Sequence, residues 1–287
     1  MTTIELSLAQ RTAVEDAVQR FGFDAVERAD YLNRLAQADD IQREILLCAG
    51  SSYYFITQYC MIYDAQAQDW IPFELWEQQK AVLEVFDESQ LSIVLKARQL
   101  GMTWLALCYA LWLMLFRPIA TVMLFSRRDD EAMYLISYDR MKGIYKRLPD
   151  FLKSRSAFVN NKHQLSLSNG SVAYAFPTSA GDSYTASLVI VDEADLIPDL
   201  NQVMRAAKPT ISAGGKMILI SRANKSLPNS EFKRIYRAAK ANLNPWSDVF
   251  LPWWVRPERN AAWYREQHDD ILQRTGSLDE LHEQYPA

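Results

Sequence analysis

The chain has 287 residues, 49% of them hydrophobic and 23% charged, and this composition can bury a substantial core. Its most apolar stretch, 104–116, is shorter than the ~20 residues of a membrane-spanning helix, so we expect no membrane segment. The net charge of −4 argues against a generic nucleic-acid binder. Three widely spaced cysteines without companion histidines predict neither a disulfide framework nor a zinc site, and they are typical of a reducing, intracellular compartment.

The first predicted unit is a helical leader over residues 1–50. Apolar residues recur there at helical spacing with charged residues between them, and acidic residues outnumber basic ones. We expect breaks at Gly22 and within 36–39. Packing against the domain that follows is the expected role, and docking of a partner is the alternative.

The next unit, residues 51–240, has the pattern of an α/β domain. After an aromatic segment, Pro72 opens a helix that runs through Phe86. Apolar runs then alternate with helical segments, which predicts a mostly parallel central sheet flanked by helices. The predicted strands are 91–95, 120–125, 172–176, 188–191 and 217–221, and the predicted helices are 102–116, 129–147, 200–207 and 230–240. Residues 241–287 are assigned to a small C-terminal subdomain.

Basic residues are concentrated in two segments of this chain, although its net charge is negative. Segment 140–162 holds seven against Asp150 alone: Arg140, Lys142, Lys146, Arg147, Lys153, Arg155 and Lys162. Segment 205–240 holds nine against Glu231 alone: Arg205, Lys208, Lys216, Arg222, Lys225, Lys233, Arg234, Arg237 and Lys240. Each could be a solvated face, but together they favour a polyanionic partner.

The segment 96–103 lies between a predicted strand and a predicted helix, where phosphate-binding loops occur. In the P-loop pattern G-x-x-x-x-G-K-[ST], backbone N–H groups wrap the phosphates and the hydroxyl binds magnesium. Gly101 and Thr103 fit, whereas Lys96 stands at the first glycine and Met102 at the lysine. A lysine at the start of the loop can still bring its ammonium to the phosphates, with Arg98 as a second cation. The alternative is an ordinary strand–turn–helix.

A second motif ends the predicted strand 188–191. Asp192 and Glu193 follow this apolar run directly, which is the form of a Walker B strand. Asp192 would hold magnesium, and Glu193 would polarise the attacking water. The two motifs together predict an ATPase.

These residues resemble the large subunit of tailed-bacteriophage terminases, the molecular motor of viral genome packaging. The resemblance covers nearly the whole chain from Tyr53, and the displaced lysine is a feature of that family. It rests on the segments 54–56, 70–76, 96–103, 185–194, 219–224, 251–253, 257–259, 263–264 and 284–287.

The resemblance implies an ASCE/RecA-like P-loop fold and hydrolysis of ATP with Mg²⁺. Glu193, Lys96 and Arg98 would be catalytic, and Thr103 and Asp192 would hold the metal. The remaining contacts to the nucleotide would come from Gln79, Ala97, Gln99, Leu100, Gly101 and Met102.

Two further roles come from the resemblance. Gln79 would read the adenine edge, with Gln78 as the second choice, and Phe73 and Trp76 would flank the base or pack in the core. In the coupling motif 221–224, Ser221 and Asn224 would sense the γ-phosphate and pass its loss to the DNA-gripping part. Family members usually carry threonine where Arg222 stands.

An arginine finger is the last part of the predicted site. The family often places an arginine shortly before 185–187, where this chain has Asp182. Arg127, Arg128 and Arg140 are the candidates from elsewhere in the chain.

The resemblance also implies partners and a location. The partners would be double-stranded DNA, the portal protein, the small terminase subunit and further copies of the chain in a ring, a pentamer, in the host cell cytoplasm. The family's nuclease domain is not found in this sequence, so we expect no DNA cleavage by it. A helicase-like translocase, suggested by 192–195, and a degenerate domain that binds without turnover are the alternatives.

Overall fold

The computed structural model describes residues 5–153, 157–176 and 186–287. Its N-terminal part is a set of three helices: α1 (Leu8–Phe21), α2 (Ala25–Gln37) and α3 (Asp40–Gly50). The breaks fall where the sequence predicts them. Gly22 ends α1 in the left-handed region with a φ of 64°, and the Asp39 side chain caps α3 by accepting a hydrogen bond from the Gln42 N–H.

A short hairpin connects this leader to the main domain. Helix α4 (Ser52–Tyr59) is followed by two antiparallel strands, β1 (Met61–Asp64) and β2 (Asp69–Pro72), and by helix α5 (Glu77–Glu88). The sequence predicts a loop where the hairpin lies. The prediction was wrong there because the aromatic residues Tyr63 and Trp70 face each other across the two strands and contact edge to face.

Within the described residues, the main sheet has eight strands in the order β10-β3-β9-β8-β4-β7-β6-β5. The pairs from β10 to β7 are parallel, and β7-β6-β5 are antiparallel. This confirms the α/β class with a mostly parallel sheet. The strands are β3 (Leu91–Lys96), β4 (Thr121–Phe125), β5 (Ala157–Asn161), β6 (Gln164–Leu167), β7 (Val172–Phe176), β8 (Leu188–Asp192), β9 (Lys216–Ser221) and β10 (Ser247–Leu251).

The helices differ from the prediction at three places. The helix predicted from Pro72 through Phe86 begins only at Glu77, because Pro72 is the last residue of strand β2. The predicted helix 129–147 is two helices, α7 (Asp129–Ile136) and α8 (Met141–Arg147), because the Ser137 hydroxyl accepts from the Asp139 N–H in a tight turn. Helix α9 (Leu200–Ser212) continues beyond residue 207 and accommodates Pro209 in its last turn. Helices α6 (Met102–Phe116) and α10 (Glu231–Lys240) agree with the prediction.

The residues after 240 contribute to the same sheet. Strand β10 pairs in parallel with β3, and helices α11 (Ala261–Thr275) and α12 (Asp279–Gln284) follow it. The Trp253 N–H donates to the Pro286 carbonyl at 3.1 Å, so the last residues return to the end of β10. The predicted division at residue 240 therefore crosses a continuous sheet, and a separate subdomain after it stays a prediction.

Helix α6 lies in the centre of the core. It is buried on nearly all sides, and its Trp112 Nε1 donates to the Cys48 carbonyl of α3 at 2.7 Å, so the leader packs against the sheet domain. The cysteines Cys48, Cys60 and Cys108 are all buried. Within the described residues, no helix is both long and apolar enough to traverse a bilayer.

Candidate active site

The loop between β3 and α6 turns tightly through two residues with positive φ. Gln99 and Gly101 both adopt left-handed conformations, with φ of 61° and 73°. A Cβ at Gly101 would lie 2.8 Å from Gln79 Nε2, so glycine is needed there for space as well as for φ. Met102, at the usual lysine position, is 1% exposed and packs in the core. A cation that binds phosphate at this loop would therefore have to come from another residue.

Lys96 is the candidate for that residue, because it lies at the end of β3 opposite the two carboxylates at the end of β8. Its Nζ is 3.5 Å from Glu193 Oε1. The Thr103 hydroxyl donates to Asp192 at 3.1 Å from Oδ1 and 3.2 Å from Oδ2. The carboxyl ends of parallel strands meet at one sheet edge, which explains why residues so distant in sequence converge. The structure brings these four predicted residues together.

The two carboxylates of the site differ in their surroundings. Burial raises the pKa of Asp192 to about 6, and the nearby Lys96 ammonium opposes this shift. Glu193 has a φ of 52°, an uncommon backbone conformation for a residue with a side chain. Its Oε2 is buried without a hydrogen-bond partner among the described residues. In the part of the chain that the structure describes, the nearest cationic group to this oxygen is Arg222, whose Nε lies 3.9 Å away.

The oxygens at this edge suit a magnesium ion. Mg²⁺ prefers hard oxygen ligands and is usually held by one or two protein groups together with phosphate oxygens and waters. The Asp192 carboxylate and the Thr103 hydroxyl are such ligands and already lie in contact. Among the described residues there is no cluster of three or more acidic, histidine or cysteine side chains that would form an all-protein metal cage.

The C-terminal residues hold the other side of the loop. The Ala97 N–H donates to the Leu251 carbonyl at 2.8 Å, and the Arg98 N–H donates to the Gln284 carbonyl at 2.7 Å. The Arg98 guanidinium also donates to Gln284 Oε1 at 3.1 Å. Arg98 thus contacts α12 in this structure and does not point toward Glu193. Its catalytic role stays a prediction.

Two arginines that the sequence reasoning did not assign also reach the loop. Arg256 Nη1 donates to the Gln99 carbonyl at 3.2 Å, and Arg259 Nη2 donates to Gln99 Oε1 at 3.3 Å. Burial between Trp263 and Tyr285 lowers the pKa of Arg259 to about 10. The only sequence signal for Arg259 was its place in the resembling segment 257–259.

Gln79 is buried beneath the loop and supports it through hydrogen bonds. It is 3% exposed, its Oε1 accepts from the Trp76 N–H at 3.0 Å, and its Nε2 donates to the Leu100 carbonyl at 3.1 Å. Phe73 is buried beside it, whereas Gln78 is exposed. The adenine-reading role of Gln79 stays a prediction.

The predicted coupling residues meet at Asp195, which the sequence analysis did not select as a site residue. The Ser221 hydroxyl accepts from the Asp195 N–H at 3.0 Å. The Asn224 N–H donates to Asp195 Oδ2 at 2.6 Å. Arg222 lies between Glu193 and Glu283, at 3.9 Å from each. The signal that could have found Asp195 is its place two residues after Glu193.

The three arginine-finger candidates do not converge. Arg127 and Arg128 form ion pairs with Glu131 at 2.7 Å and 3.2 Å. Arg140 stacks between Trp104 and Tyr134, with its guanidinium carbon 4.4 Å and 4.5 Å from the ring centroids. Their action on a neighbouring copy stays a prediction. Asp182, where the resemblance expects an arginine, lies outside the described residues.

The two basic segments present their charges differently. In α10, Arg234, Arg237 and Lys240 are exposed at a spacing of three residues, which places them along one side of the helix. In the other segment, Lys142 is buried and donates to the Asn161 carbonyl. The Arg147 guanidinium lies over the Trp70 ring, 3.7 Å from its centroid. The exposed basic side chains of α10 therefore form an evenly spaced row, whereas Lys142 and Arg147 of the other segment pack against protein groups.

Comparison with known proteins agrees with this geometry. Residues 93–284 match the family model for the terminase large subunit, T4likevirus-type, N-terminal. This range contains the main sheet except the first two residues of β3, and it contains the loop after β3 and the carboxylates at the end of β8.

Solved structures share the fold. The large terminase ATPase domain of Thermus phage P74-26 is 18% identical, with a TM-score of 0.56, over 74% of this chain and 93% of that one. The HK97 bacteriophage large terminase is 15% identical, with a TM-score of 0.63, over 83% and 54%. A large terminase from another thermophilic bacteriophage, in complex with ATP-gamma-S, is 14% identical, with a TM-score of 0.50, over 68% and 49%. The chain thus spans about half the length of the last two.

Proposed function

The chain belongs to the terminase large-subunit family, and from that premise we propose that it is an ATPase motor domain that hydrolyses ATP to drive double-stranded DNA into a procapsid. The observation that carries this proposal is the convergence of Lys96 and Thr103 on Asp192 and Glu193 at the ends of β3 and β8. A further support is that a large terminase of the same fold, from a thermophilic bacteriophage, has been solved with ATP-gamma-S.

Each side chain at this edge has a chemical task in such a reaction. When bound, Mg²⁺ neutralises charge on the phosphates, and Asp192 and Thr103 would hold it. Lys96, now 3.5 Å from Glu193, would turn its ammonium to the phosphate oxygens, because they carry more negative charge. Glu193 would then be free to accept a proton from water at Oε1, the oxygen that now faces Lys96.

The DNA contact is assigned to helix α10. Its exposed residues Arg234, Arg237 and Lys240 would bind phosphates along one strand of the duplex, a contact that carries no sequence preference. Such a contact suits a motor that must move along any sequence. Ser221 and Asn224 both form hydrogen bonds with Asp195, two residues after Glu193, which supports their proposed part in coupling.

The remaining partners are proposed from the family. A ring of copies, a pentamer, would assemble on the portal protein, and the small terminase subunit would bring the DNA. An arginine from a neighbouring copy would complete each site by neutralising transition-state charge. Arg127, Arg128 and Arg140 remain the candidates for this residue.

The test is steady-state ATP hydrolysis with and without double-stranded DNA. We compare the parent with Lys96→Ala and Glu193→Gln, and we use the exposed Lys162→Ala and Glu266→Gln as matched controls. Loss of the general base should lower kcat by about 10²–10⁴-fold. Lys96→Ala should also weaken binding of a fluorescent ATP analogue, whereas Glu193→Gln should leave binding near the parent value.

The outcomes separate the alternatives. Turnover that needs both residues, and is stimulated by DNA, supports the motor. Nucleotide binding that needs Lys96 but gives no turnover, even at protein concentrations that favour assembly, favours a binding domain. Hydrolysis that survives Glu193→Gln contradicts the assigned chemistry.

A further inference from the structure

Asp195 carries a buried charge that the hydrolytic site does not use. Its side chain is 0% exposed, and it lies in the 3-10 turn Ala194–Leu196 directly after Glu193. An ionised carboxylate is costly to bury unless it is paired and hydrogen-bonded. The partners of Asp195 therefore identify what this charge holds together.

Those partners come from two other segments. Lys233 of α10 lies with its Nζ 2.7 Å from Asp195 Oδ2. The Ser230 hydroxyl, at the N-cap of the same helix, donates to Oδ1. The Asn224 N–H, in the loop after β9, donates to Oδ2 at 2.6 Å. One carboxylate thus joins the turn after β8, the coupling loop and α10.

Lys233 is held on its other side by the coupling loop. Its ammonium donates to the Asn224 carbonyl at 2.5 Å and to the Leu227 carbonyl at 2.8 Å. An ammonium has three protons, and here each has an acceptor in the turn or in the loop. The first turn of α10 is therefore attached through polar contacts to the two loops that flank the hydrolytic site.

The packing around this junction leaves room for displacement. A cavity of about 320 Å³ lies between the segments 194–201 and 227–232. Along the whole of α10, apolar side chains are buried on the side opposite to the exposed basic residues: Phe232, Tyr236 and Ala239. Apolar contact is non-directional and tolerates small shifts, whereas the ion pair and its hydrogen bonds fix a geometry.

We propose that the Asp195–Lys233 pair is a positioning joint that makes the placement of the basic helix α10 depend on the nucleotide state of the site at Glu193. Only Ala194 separates Asp195 from Glu193, so a shift of the turn carries both carboxylates. This inference rests on the proposed function and deepens it, because it names the residues through which hydrolysis reaches the DNA-binding helix.

The test is amide hydrogen–deuterium exchange with and without ATP-gamma-S and magnesium. In the parent we expect the nucleotide to slow exchange in the loop 96–103 and to change exchange in 231–240. The double variant Asp195→Asn/Lys233→Met should keep the change in the loop and lose the change in the helix. Lys162→Met, which removes an exposed lysine outside α10 and outside the hydrolytic site, is the control and should behave as the parent does.

The double variant is needed because Lys233→Met alone leaves the buried Asp195 carboxylate without its ion-pair partner, which can unfold the chain. Removing both charges keeps the site foldable, and a thermal melt checks this. DNA affinity gives a second reading. In the parent we expect bound nucleotide to change the dissociation constant for DNA by about fivefold or more, which is within the range typical of coupled sites. In the double variant this factor should fall to about one, whereas DNA affinity without nucleotide should stay near the parent value.

The outcomes distinguish the two proposals. If nucleotide changes exchange in 96–103 of the parent but not in 231–240, the joint is refuted and the ATPase assignment stands. If the double variant keeps the parent response in 231–240, the joint is refuted as well. A parent whose loop 96–103 does not respond to nucleotide overturns the proposed function and the joint with it.

Discussion

Among single residues, left-handed backbone conformations mark both loops of the active site. Gln99 and Glu193 have φ of 61° and 52°, although neither is glycine. Such a conformation costs of order 1–3 kcal/mol, so the surrounding contacts must stabilise it. Arg256 and Arg259 donate to Gln99, and Lys96 lies beside Glu193. The strain is thus opposed by cations at both loops.

Gln79 gives a prediction at this scale. Gln79→Ala removes the partners of the buried Leu100 carbonyl and of the Trp76 N–H. We expect the free energy of unfolding to fall by roughly 1–3 kcal/mol, measured by urea denaturation. The exposed neighbour Gln78→Ala is the control and should change it by about 0.5 kcal/mol or less.

The same two variants test the adenine-reading role predicted from the resemblance. The measurement is the ratio of ATP to GTP affinity. A ratio that collapses only in Gln79→Ala supports base recognition, whereas an unchanged ratio leaves Gln79 as a strut of the loop.

Among whole elements, the sequence predicted best where one segment decides its own structure. Buried parallel strands such as β3 and β8 are continuous apolar runs, so their positions could be read directly. Strand β10 was missed because it is a half-buried edge strand that includes Asp248. The helix break near Ser137 was missed because one side-chain hydrogen bond determines it.

The residues of the site also fall into two groups, those that a local motif identifies and those that only the fold brings to the loop. Lys96, Thr103, Asp192 and Glu193 belong to local motifs and were predicted. Arg256 and Gln284 reach the loop from 157 and 186 residues away, and no local pattern encodes such contacts. Asp195 lies two residues after Glu193 in the sequence, but its pairing with Lys233, 38 residues away, appears only in the structure.

A contact between α5 and β9 gives a pH prediction at the scale of elements. Lys216 Nζ donates to the carbonyls of Phe86, Asp87 and Ser89 at the end of α5. Burial lowers the pKa of Lys216 from 10.5 to about 8. Between these values the unfolded chain binds a proton there that the folded chain does not. The free energy of unfolding of the parent therefore rises with pH across this window.

Lys216→Met should lower the free energy of unfolding by roughly 1–3 kcal/mol, because three carbonyls lose their donor. The difference from the parent should widen as pH rises from about 8 toward 10.5, since only the parent gains stability at this position. Urea unfolding at several pH values measures it, and Lys240→Met is the control. A difference that stays constant with pH would mean that Lys216 keeps its ordinary pKa.

Over the whole molecule, the N-terminal helices contact the sheet domain through polar groups as well as through apolar packing. The Arg20 guanidinium lies over the Trp112 ring, 4.1 Å from its centroid, and forms an ion pair with Asp87 at 2.6 Å. The Ser52 hydroxyl donates to the other oxygen of Asp87 at 2.5 Å. This packing is what the sequence favoured for the leader, and it places three helices on the side of α6 away from the sheet.

The burial of every cysteine has a practical consequence for following this molecule in motion. All three lie among the described residues, and burial raises the pKa of the Cys48 and Cys60 thiols, so little reactive thiolate forms. We expect the native chain to resist a maleimide dye until denaturant exposes the thiols, with absorbance of the coupled dye as the readout. Rapid labelling of the native chain would contradict this. A single Lys240→Cys substitution would then carry the only fluorophore, on the helix assigned to DNA, without any native cysteine having to be removed.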